Sequence, residues 1–268
     1  MRVKKLVLPV AGLGKRLFPL TLKTPKPLLP LRGKPILEYV LHEAQESGIR
    51  EAILVVGPEN KSRIFEYLRG AQEKFPKLRF HIRMQRRPFG NGEAILMAHD
   101  IVANEPFAVR FCDDLLFHKV HGLRKLIEIF EKYRSPVFVL EEIPRKLISR
   151  YGVVAVKNPK GGPLYEILRV VEKPTAHDFA VGHPLVNLAV LGAYVMTPSI
   201  MKHLKRFQDI RPPVRDALLW TAAFQEELRR EGKIYGWKFP GTRLDCGTLE
   251  GLRKAEKFLE DDKVARDW

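Results

Sequence analysis

Short β-branched runs alternating with amphipathic stripes predict an α/β fold, with a mostly parallel central sheet flanked by helices and an inserted antiparallel layer. Three observations carry that expectation. Strand and helix signals alternate through the first 140 residues, which is the pattern of βαβ units on a parallel sheet. From Glu141 to about Val195 the runs shorten and are separated by Pro, Gly and charged turns, as antiparallel strands are. The chain has 268 residues, 45% of them hydrophobic, enough to fill one large core.

The elements follow in order. Leu6-Val7-Leu8 is a buried-strand run that stops at Gly12, and Leu37, Val40, Leu41 and Ala44 at i, i+3, i+4 and i+7 mark one face of a helix. Ile53 to Val56 is a β-branched strand ended by Gly57-Pro58. A helical segment around Ile64 to Leu68 leads to a strand near Phe80 to Met84. Ile95, Ala98 and Val102 form the next helical stripe, and Phe107 to Phe111 a strand ending at Asp113-Asp114. Leu123, Leu126, Ile127 and Phe130 predict a helix before a strand at Val137 to Leu140. In the inserted layer the strand runs are Val153 to Val156, Ile167 to Val171 and Leu188 to Val195. Helices at about Pro198 to Phe207 and Val214 to Arg230, a strand near Ile234 to Phe239 and a helix near Thr248 to Leu259 complete the chain.

Lys and Arg outnumber Asp and Glu by 16, but they are scattered. No RNP-type aromatic run, zinc-finger spacing or leucine-zipper heptad accompanies them. The surplus therefore predicts a solvated, highly charged surface, compatible with drawing in anionic substrates, and no nucleic-acid partner. No stretch approaches the roughly 18 apolar residues of a membrane helix, so no membrane partner is expected. The apolar run near the N-terminus is too short for a secretion signal, which predicts a cytoplasmic protein. Cys112 and Cys246 cannot make a disulfide framework and are expected as free thiols; were Asp113 and Asp245 to share a cation, the two cysteines would lie on neighbouring strand ends.

In open parallel sheets ligands bind beyond the carboxyl ends of the strands, and the chemically informative residues lie there. Directly after the first strand comes Ala11-Gly12-Leu13-Gly14-Lys15-Arg16. Its glycines let backbone N–H groups approach phosphate oxygens, and Arg16 carries a planar fork of donors. Position 17 is Leu, so this is neither the dinucleotide fingerprint nor a Walker A loop. The next segment, Thr24-Pro25-Lys26-Pro27-Leu28-Leu29-Pro30, is stiffened by prolines that hold Lys26 as a fixed charge. Asp113-Asp114 follows a strand, where adjacent carboxylates repel and a hard cation would relieve them. His118 and His121 with these acids would form an alternative transition-metal set. No Ser, Cys or His arrangement suggests a covalent nucleophile.

The order G-x-G-x-R, P-K-x-L-L-P, Gly33-Lys34-Pro35 at a helix start, the strand-end acids and a late Leu244-Asp245-Cys246-Gly247 resembles the sugar-1-phosphate nucleotidyltransferases over nearly the whole chain. The A-G-L-G opening is most similar to the bacterial UTP–glucose-1-phosphate uridylyltransferases. The resemblance implies a Rossmann-like, GT-A-like sheet of the nucleotide-diphospho-sugar transferase type. It implies one domain, 1–268, with a nucleotide-binding part at 1–140, a sugar-phosphate-binding part at 141–247 and a C-terminal helix at 248–268. It further implies transfer of the uridylyl group of UTP to glucose 1-phosphate, with thymidylyl or other nucleotidyl transfer to this or another sugar 1-phosphate as the alternative.

Carried over residue by residue, Ala11 and Gly12 would contact the base, while Gly14, Arg16 and Lys26 would hold the triphosphate. Gln85 would read the pyrimidine with a donor and an acceptor. Gly90-Asn91-Gly92-Glu93-Ala94 matches the branch's G-L-G-H-A, with Gly90 close to the nucleotide. Asp113 and Asp245 would share one Mg²⁺ ion. Gly152, Glu172, Lys173 and Val190 would bind the sugar phosphate, so Arg16, Lys26, Asp113 and Lys173 become the catalytic candidates. A homo-oligomer, dimer or tetramer, is implied as well. The chain also departs from the family: Lys15 replaces Thr, Pro27 replaces Glu, and Val214-Arg215-Asp216-Ala217 is a reduced form of the late E-I-Q-L-T-D-A segment.

Overall fold

The computed structural model describes residues 2–210 and 217–261. In chain order the elements are β1 (Lys5–Pro9), α1 (Leu20–Lys23), β2 (Pro30–Leu31), β3 (Lys34–Pro35), α2 (Ile36–Glu46), β4 (Glu51–Val56), α3 (Lys61–Lys74), β5 (Arg79–Met84), α4 (Asn91–Leu96), α5 (His99–Val102), β6 (Phe107–Arg110) and β7 (Asp114–Phe117). They continue with α6 (Gly122–Tyr133), β8 (Val137–Glu142), β9 (Gly152–Val156), β10 (Leu164–Glu172), α7 (Ala176–Ala180), β11 (Leu188–Met196), α8 (Pro198–Ile210), α9 (Trp220–Arg229), β12 (Tyr235–Lys238), β13 (Thr242–Asp245) and α10 (Leu249–Asp261).

Nine strands form one sheet in the order β5-β4-β1-β6-β11-β8-β12-β10-β9. Pairing is parallel from β5 to β6 and between β8 and β12, while β10 and β11 run the other way. The expected α/β class is what forms. The antiparallel strands are a continuation of the central sheet, which curls until Ala189 of β11 meets Val153 of β9. Side chains alternate across the pleat, so the sheet separates two apolar clusters. Leu6, Leu8, Leu54 and Val56 enter one, beneath α2, α3 and α6, whereas Val7, Ile53 and Val55 enter the other, beneath α4, α8 and α9.

Three sequence expectations change in detail. The stripe Ile95, Ala98, Val102 is two short helices, because Ala98 N–H bonds back three residues to Ile95 and Ile101 N–H back three to Ala98. That tightening keeps all three side chains buried. Residues 217–219 are not helical, so α9 starts at Trp220; the 214–216 portion of that expected helix, with the shortened Val214-Arg215-Asp216 segment, lies outside the described residues, as do residues 262–268 of the expected C-terminal helix. The ribbon of β7 with β13, in which Asp114 faces Asp245, has no period-2 signal long enough to reveal it.

Beneath the sheet's carboxyl edge lies a closed ion pair. Arg110, 1% exposed, donates from Nε to Glu43 Oε2 at 2.8 Å and from a terminal nitrogen to the Gly192 carbonyl at 3.1 Å. The other Glu43 oxygen accepts the Leu123 N–H at 3.0 Å, at the start of α6. β6, β11, α2 and α6 are thereby held together three residues before Asp113. Removing one member leaves an uncompensated buried charge. Arg110→Ala is expected to cost about 3–5 kcal/mol in urea denaturation, and a loss below about 1 kcal/mol would show that the pair does not brace this edge.

Candidate active site

The backbone after β1 is shaped by its neighbours. Val10 N–H bonds to the Val55 carbonyl at 2.8 Å, and Asn60 Nδ2 donates to the Val10 carbonyl at 2.5 Å. A Cβ on Gly57 would stand 2.9 Å from the Ala11 carbonyl oxygen, so glycine is what admits the turn there. Gly14 is left-handed at φ 64° and opens a short 3-10 turn at Lys15–Leu17. A Cβ on it would meet Thr21 and Lys26 at 3.0 and 3.2 Å, so this glycine lets the first loop lie against the lysine-bearing one. Lys26 starts a second 3-10 turn, Lys26–Leu28, in which Pro27 is buried. Pro27 therefore departs from the family within the scaffold and does not border the cavity.

Ala11, Gly12, Lys26, Gln85, Gly90 and Asp113 line one cleft of about 260 Å³, with Asn91, Ala94 and Phe111. Six of the eight expected nucleotide-binding residues thus share a single cavity. Arg16 lies just beyond it: a Cβ placed on Gly247 would be 2.8 Å from an Arg16 nitrogen, 2.9 Å from Asp245 Oδ1 and 3.1 Å from Asp113 Oδ2. Three groups distant in sequence therefore converge on one point, and any side chain at 247 would block it. Cys246 N–H bonds to the Asp113 carbonyl at 2.7 Å, which brings Cys112 and Cys246 side by side as free, buried thiols. Burial pushes the Cys112 thiol up to about 12, so it is no nucleophile at neutral pH.

The paired acids are separated electrostatically. Asp113 Oδ2 accepts Lys26 Nζ at 2.7 Å. Burial works to raise the Asp113 carboxyl, but the charge and hydrogen bond of Lys26 bring it below the ordinary range. For Lys26 burial opposes, yet Asp113 leaves the ammonium raised. Asp114 turns away and accepts Arg243 Nε at 2.7 Å and the Gly192 N–H at 3.0 Å. Burial raises its carboxyl, with Arg243 opposing. Arg243 also reaches Glu141 at 3.2 Å and Asp245 at 3.6 Å. The repulsion between Asp113 and Asp114 is therefore relieved by Lys26 and Arg243, which the sequence pattern alone does not reveal.

Two carboxylates facing one point suit a small hard cation that completes its shell with substrate phosphates and water. Asp113 and Asp245 fit that description. Among the described residues no group of three His, Cys, Asp or Glu side chains is arranged to hold a metal by protein ligands alone. The alternative set with His118 and His121 is not assembled: His118 packs edge-on against Phe239, and His121 against His42.

Gln85 sits as expected after β5, but with different hydrogen bonds. Its amide nitrogen donates to Glu93 Oε2 at 2.6 Å and to the Gly90 carbonyl at 3.0 Å. Both donors are used, so only its oxygen remains for a base, not a donor and an acceptor together. Nothing local in the sequence pairs Glu93 with Gln85, eight residues away. The sugar-site candidates Gly152 and Glu172 are register partners on β9 and β10, and a Cβ on Gly152 would meet Glu172 Oε2 at 3.0 Å. The Glu172 carboxylate has no hydrogen-bond partner among the described residues, and burial raises it while Lys173 opposes. Lys173 is left-handed, at φ 47°, just before Pro174, a conformation that concentrates at functional sites. Val190 is nearly buried and belongs to the same apolar cluster as Trp220.

Trp220 joins segments 129 residues apart: its backbone N–H donates to Asn91 Oδ1 at 3.1 Å. Beside it Leu218 exchanges backbone bonds with Phe89 and Gly92, at 2.8 and 2.9 Å. Gly90, at φ 106°, leaves only 2.3 Å between an added Cβ and the Leu218 carbonyl oxygen. Gly90→Ala is thus expected to cost about 1–3 kcal/mol and to weaken nucleotide binding, read by calorimetry. Wild-type stability and affinity in that variant would refute the backbone reading.

With this geometry established, the comparisons are direct. The UTP–glucose-1-phosphate uridylyltransferase of Mycoplasma pneumoniae is 33% identical, over 99% of this chain and 96% of the relative. That of Bacillus subtilis strain 168 is 31% identical, over 99% and 94%. A crystal structure of a UDP-glucose pyrophosphorylase complexed with UDP-glucose superposes with a TM-score of 0.83 at 31% identity, covering 96% of this chain and 98% of that one. Residues 4–262 match the description "Nucleotidyl transferase". The chain belongs to the nucleotidyl transferase family.

Proposed function

We propose that this protein transfers the uridylyl group of UTP to glucose 1-phosphate, giving UDP-glucose and pyrophosphate, with Mg²⁺ as the cation. One observation carries the reading: Arg16, Asp113 and Asp245 converge at Gly247, beside a cavity lined by Lys26 and Gln85. Full-length similarity to relatives of that activity supports it. The cavity-side residues form the nucleotide part, and Gly152, Glu172, Lys173 and Val190 the sugar-phosphate part.

Chemically, a sugar-phosphate oxygen attacks the α-phosphorus of UTP in line. The new P–O bond forms as the α–β bridging bond breaks, and pyrophosphate leaves with the electron pair. The attacking oxygen is already anionic at neutral pH, so no general base is required. The protein's task is to bring two repelling anions together and to neutralise developing charge. Arg16 and Lys26 would grip the triphosphate, Lys26 exchanging its bond to Asp113 for phosphate oxygens, and Lys173 would hold the sugar phosphate. Asp113 and Asp245 would bind Mg²⁺, which supplies further neutralisation at the α-phosphate when bound. Glu172, half-buried and with no hydrogen bond to its carboxylate among the described residues, would accept hydrogen bonds from sugar hydroxyls. Assembly as a homodimer or tetramer in the cytoplasm belongs to the same reading; among the described residues no helix is long and apolar enough to cross a membrane.

The test is pyrophosphate release with Mg²⁺, each of UTP, dTTP, CTP and ATP, and a panel of sugar 1-phosphates. UTP with glucose 1-phosphate is expected to be preferred, and preference for another pair overturns the assignment. Arg16→Ala is expected to lower kcat by about 10²-fold or more, and a loss under about threefold in a folded variant would remove Arg16 from the mechanism. Because the Glu172 carboxyl is raised in the fold, its charge opposes folding above the ordinary carboxylate pKa and ceases to do so as pH falls. Glu172→Gln is therefore expected to raise the neutral-pH melting temperature while raising KM for glucose 1-phosphate more than for UTP. A destabilised variant, or equal KM changes, contradicts this placement.

A further inference from the structure

Gln85 and Glu93 are nearly enclosed, at 6% and 8% exposed. The Gln85 amide nitrogen donates to Glu93 Oε2 at 2.6 Å and to the Gly90 carbonyl at 3.0 Å. The same Glu93 oxygen accepts the Phe89 N–H at 3.2 Å, which fixes the carboxylate to the backbone of the loop. A carboxylate and a carbonyl only accept, so the amide must present its nitrogen to them. The remaining amide atom, Oε1, has no protein partner among the described residues and belongs to a side chain that lines the cleft.

The position is distinctive in the sequence as well. Glu93 stands where the motif G-L-G-H-A has His. Imidazole can donate or accept according to its tautomer, and so does not dictate which way a neighbouring amide turns. A carboxylate does.

We propose that Glu93 is a specificity-determining positioning residue. It holds the Gln85 amide nitrogen inward, so that this side chain offers the base an acceptor and nothing else. That selects a ring N–H donor, the imide edge of uracil or thymine. It disfavours cytosine, whose corresponding ring nitrogen is itself an acceptor and would face the Gln85 oxygen lone pair to lone pair. Specificity of this kind comes from a polar group that the wrong base leaves unpaired. The proposal rests on the nucleotidyl-transfer reading above and names what discriminates at its base site.

Pyrophosphate release is measured with UTP and with CTP, at saturating glucose 1-phosphate, for wild type and Glu93→Gln. An amide at 93 donates as well as accepts and lets Gln85 turn over. The UTP-over-CTP preference in kcat/KM is expected to fall by about tenfold or more, through the nucleotide KM, with kcat for UTP within about threefold of wild type. General damage to the fold lowers both nucleotides alike and leaves the ratio, so a ratio within about twofold of wild type overturns the proposal. A second arm needs no variant: the crystal structure of the wild-type protein with UTP. The amide nitrogen still on Glu93, with Oε1 against the base N–H, supports the proposal. A nitrogen moved off Glu93 and onto a base carbonyl overturns it. Wild-type protein that releases no pyrophosphate with any nucleotide overturns the functional reading instead.

Discussion

Carboxylates crowd the carboxyl edge of this sheet, where the proposed reaction also brings a nucleoside triphosphate and a sugar phosphate, and that electrostatic conflict organises the edge. Asp113, Asp114, Asp245 and Glu141 gather there, and none is left to repel the others unopposed. Lys26 takes Asp113, while Arg243 takes Asp114, Glu141 and, more distantly, Asp245. The two neighbouring aspartates are driven apart, one carboxyl lowered and the other raised, because only Asp113 gains more from its cation than it loses to burial. Asp113 is thereby held charged and pointed at the space beside Gly247, and Asp114 serves as a strut to the Gly192 N–H and Arg243.

The fold makes such a concentration of charge tolerable by bracing it from below. The closed Arg110–Glu43 pair ties β6 and β11 to α2 and α6 directly beneath the acids. The β7–β13 ribbon then lifts Asp113 and Asp245 out of the sheet on adjacent ends. Buried ion pairs contribute little net stability against well-packed apolar residues, but they do fix geometry. Here geometry is the requirement, since displaced ligands or donors forfeit the advantage of positioning. Glycines at 14, 57, 90 and 247 do the complementary work, letting backbone segments approach where any side chain would collide.

The segment Phe89–Gly92 shows how stretches distant in sequence are coupled beside the cleft. Phe89 to Gly92 is pinned by Leu218, and Asn91 by Trp220, on the helix that packs under the sugar-site strands. The cleft-lining segment around Gly90 is therefore mechanically continuous with α9. In the first turn of α4, directly after Gly92, Glu93 joins the Gly90 carbonyl in holding the Gln85 amide nitrogen.

Sequence by itself determined the α/β class, the order of nearly all long elements and the loops that line the cleft. Those features are written locally: in period-2 and period-3.6 apolar patterns, in glycine turns, and in acids that follow strands. It placed Ala11, Gly12, Lys26, Gln85, Gly90 and Asp113, and these do line one cleft. Only the tertiary structure decided which charges pair. Lys26 and Asp113 are 87 residues apart, and Arg243 and Asp114 are 129 apart, so no local signal could join them. Likewise the strands β7 and β13, four residues each, are too short to show a period and exist because they find each other. The donor count at Gln85 belongs to the same class: an amide offers two donors in principle, and burial against Glu93 and the Gly90 carbonyl consumes both.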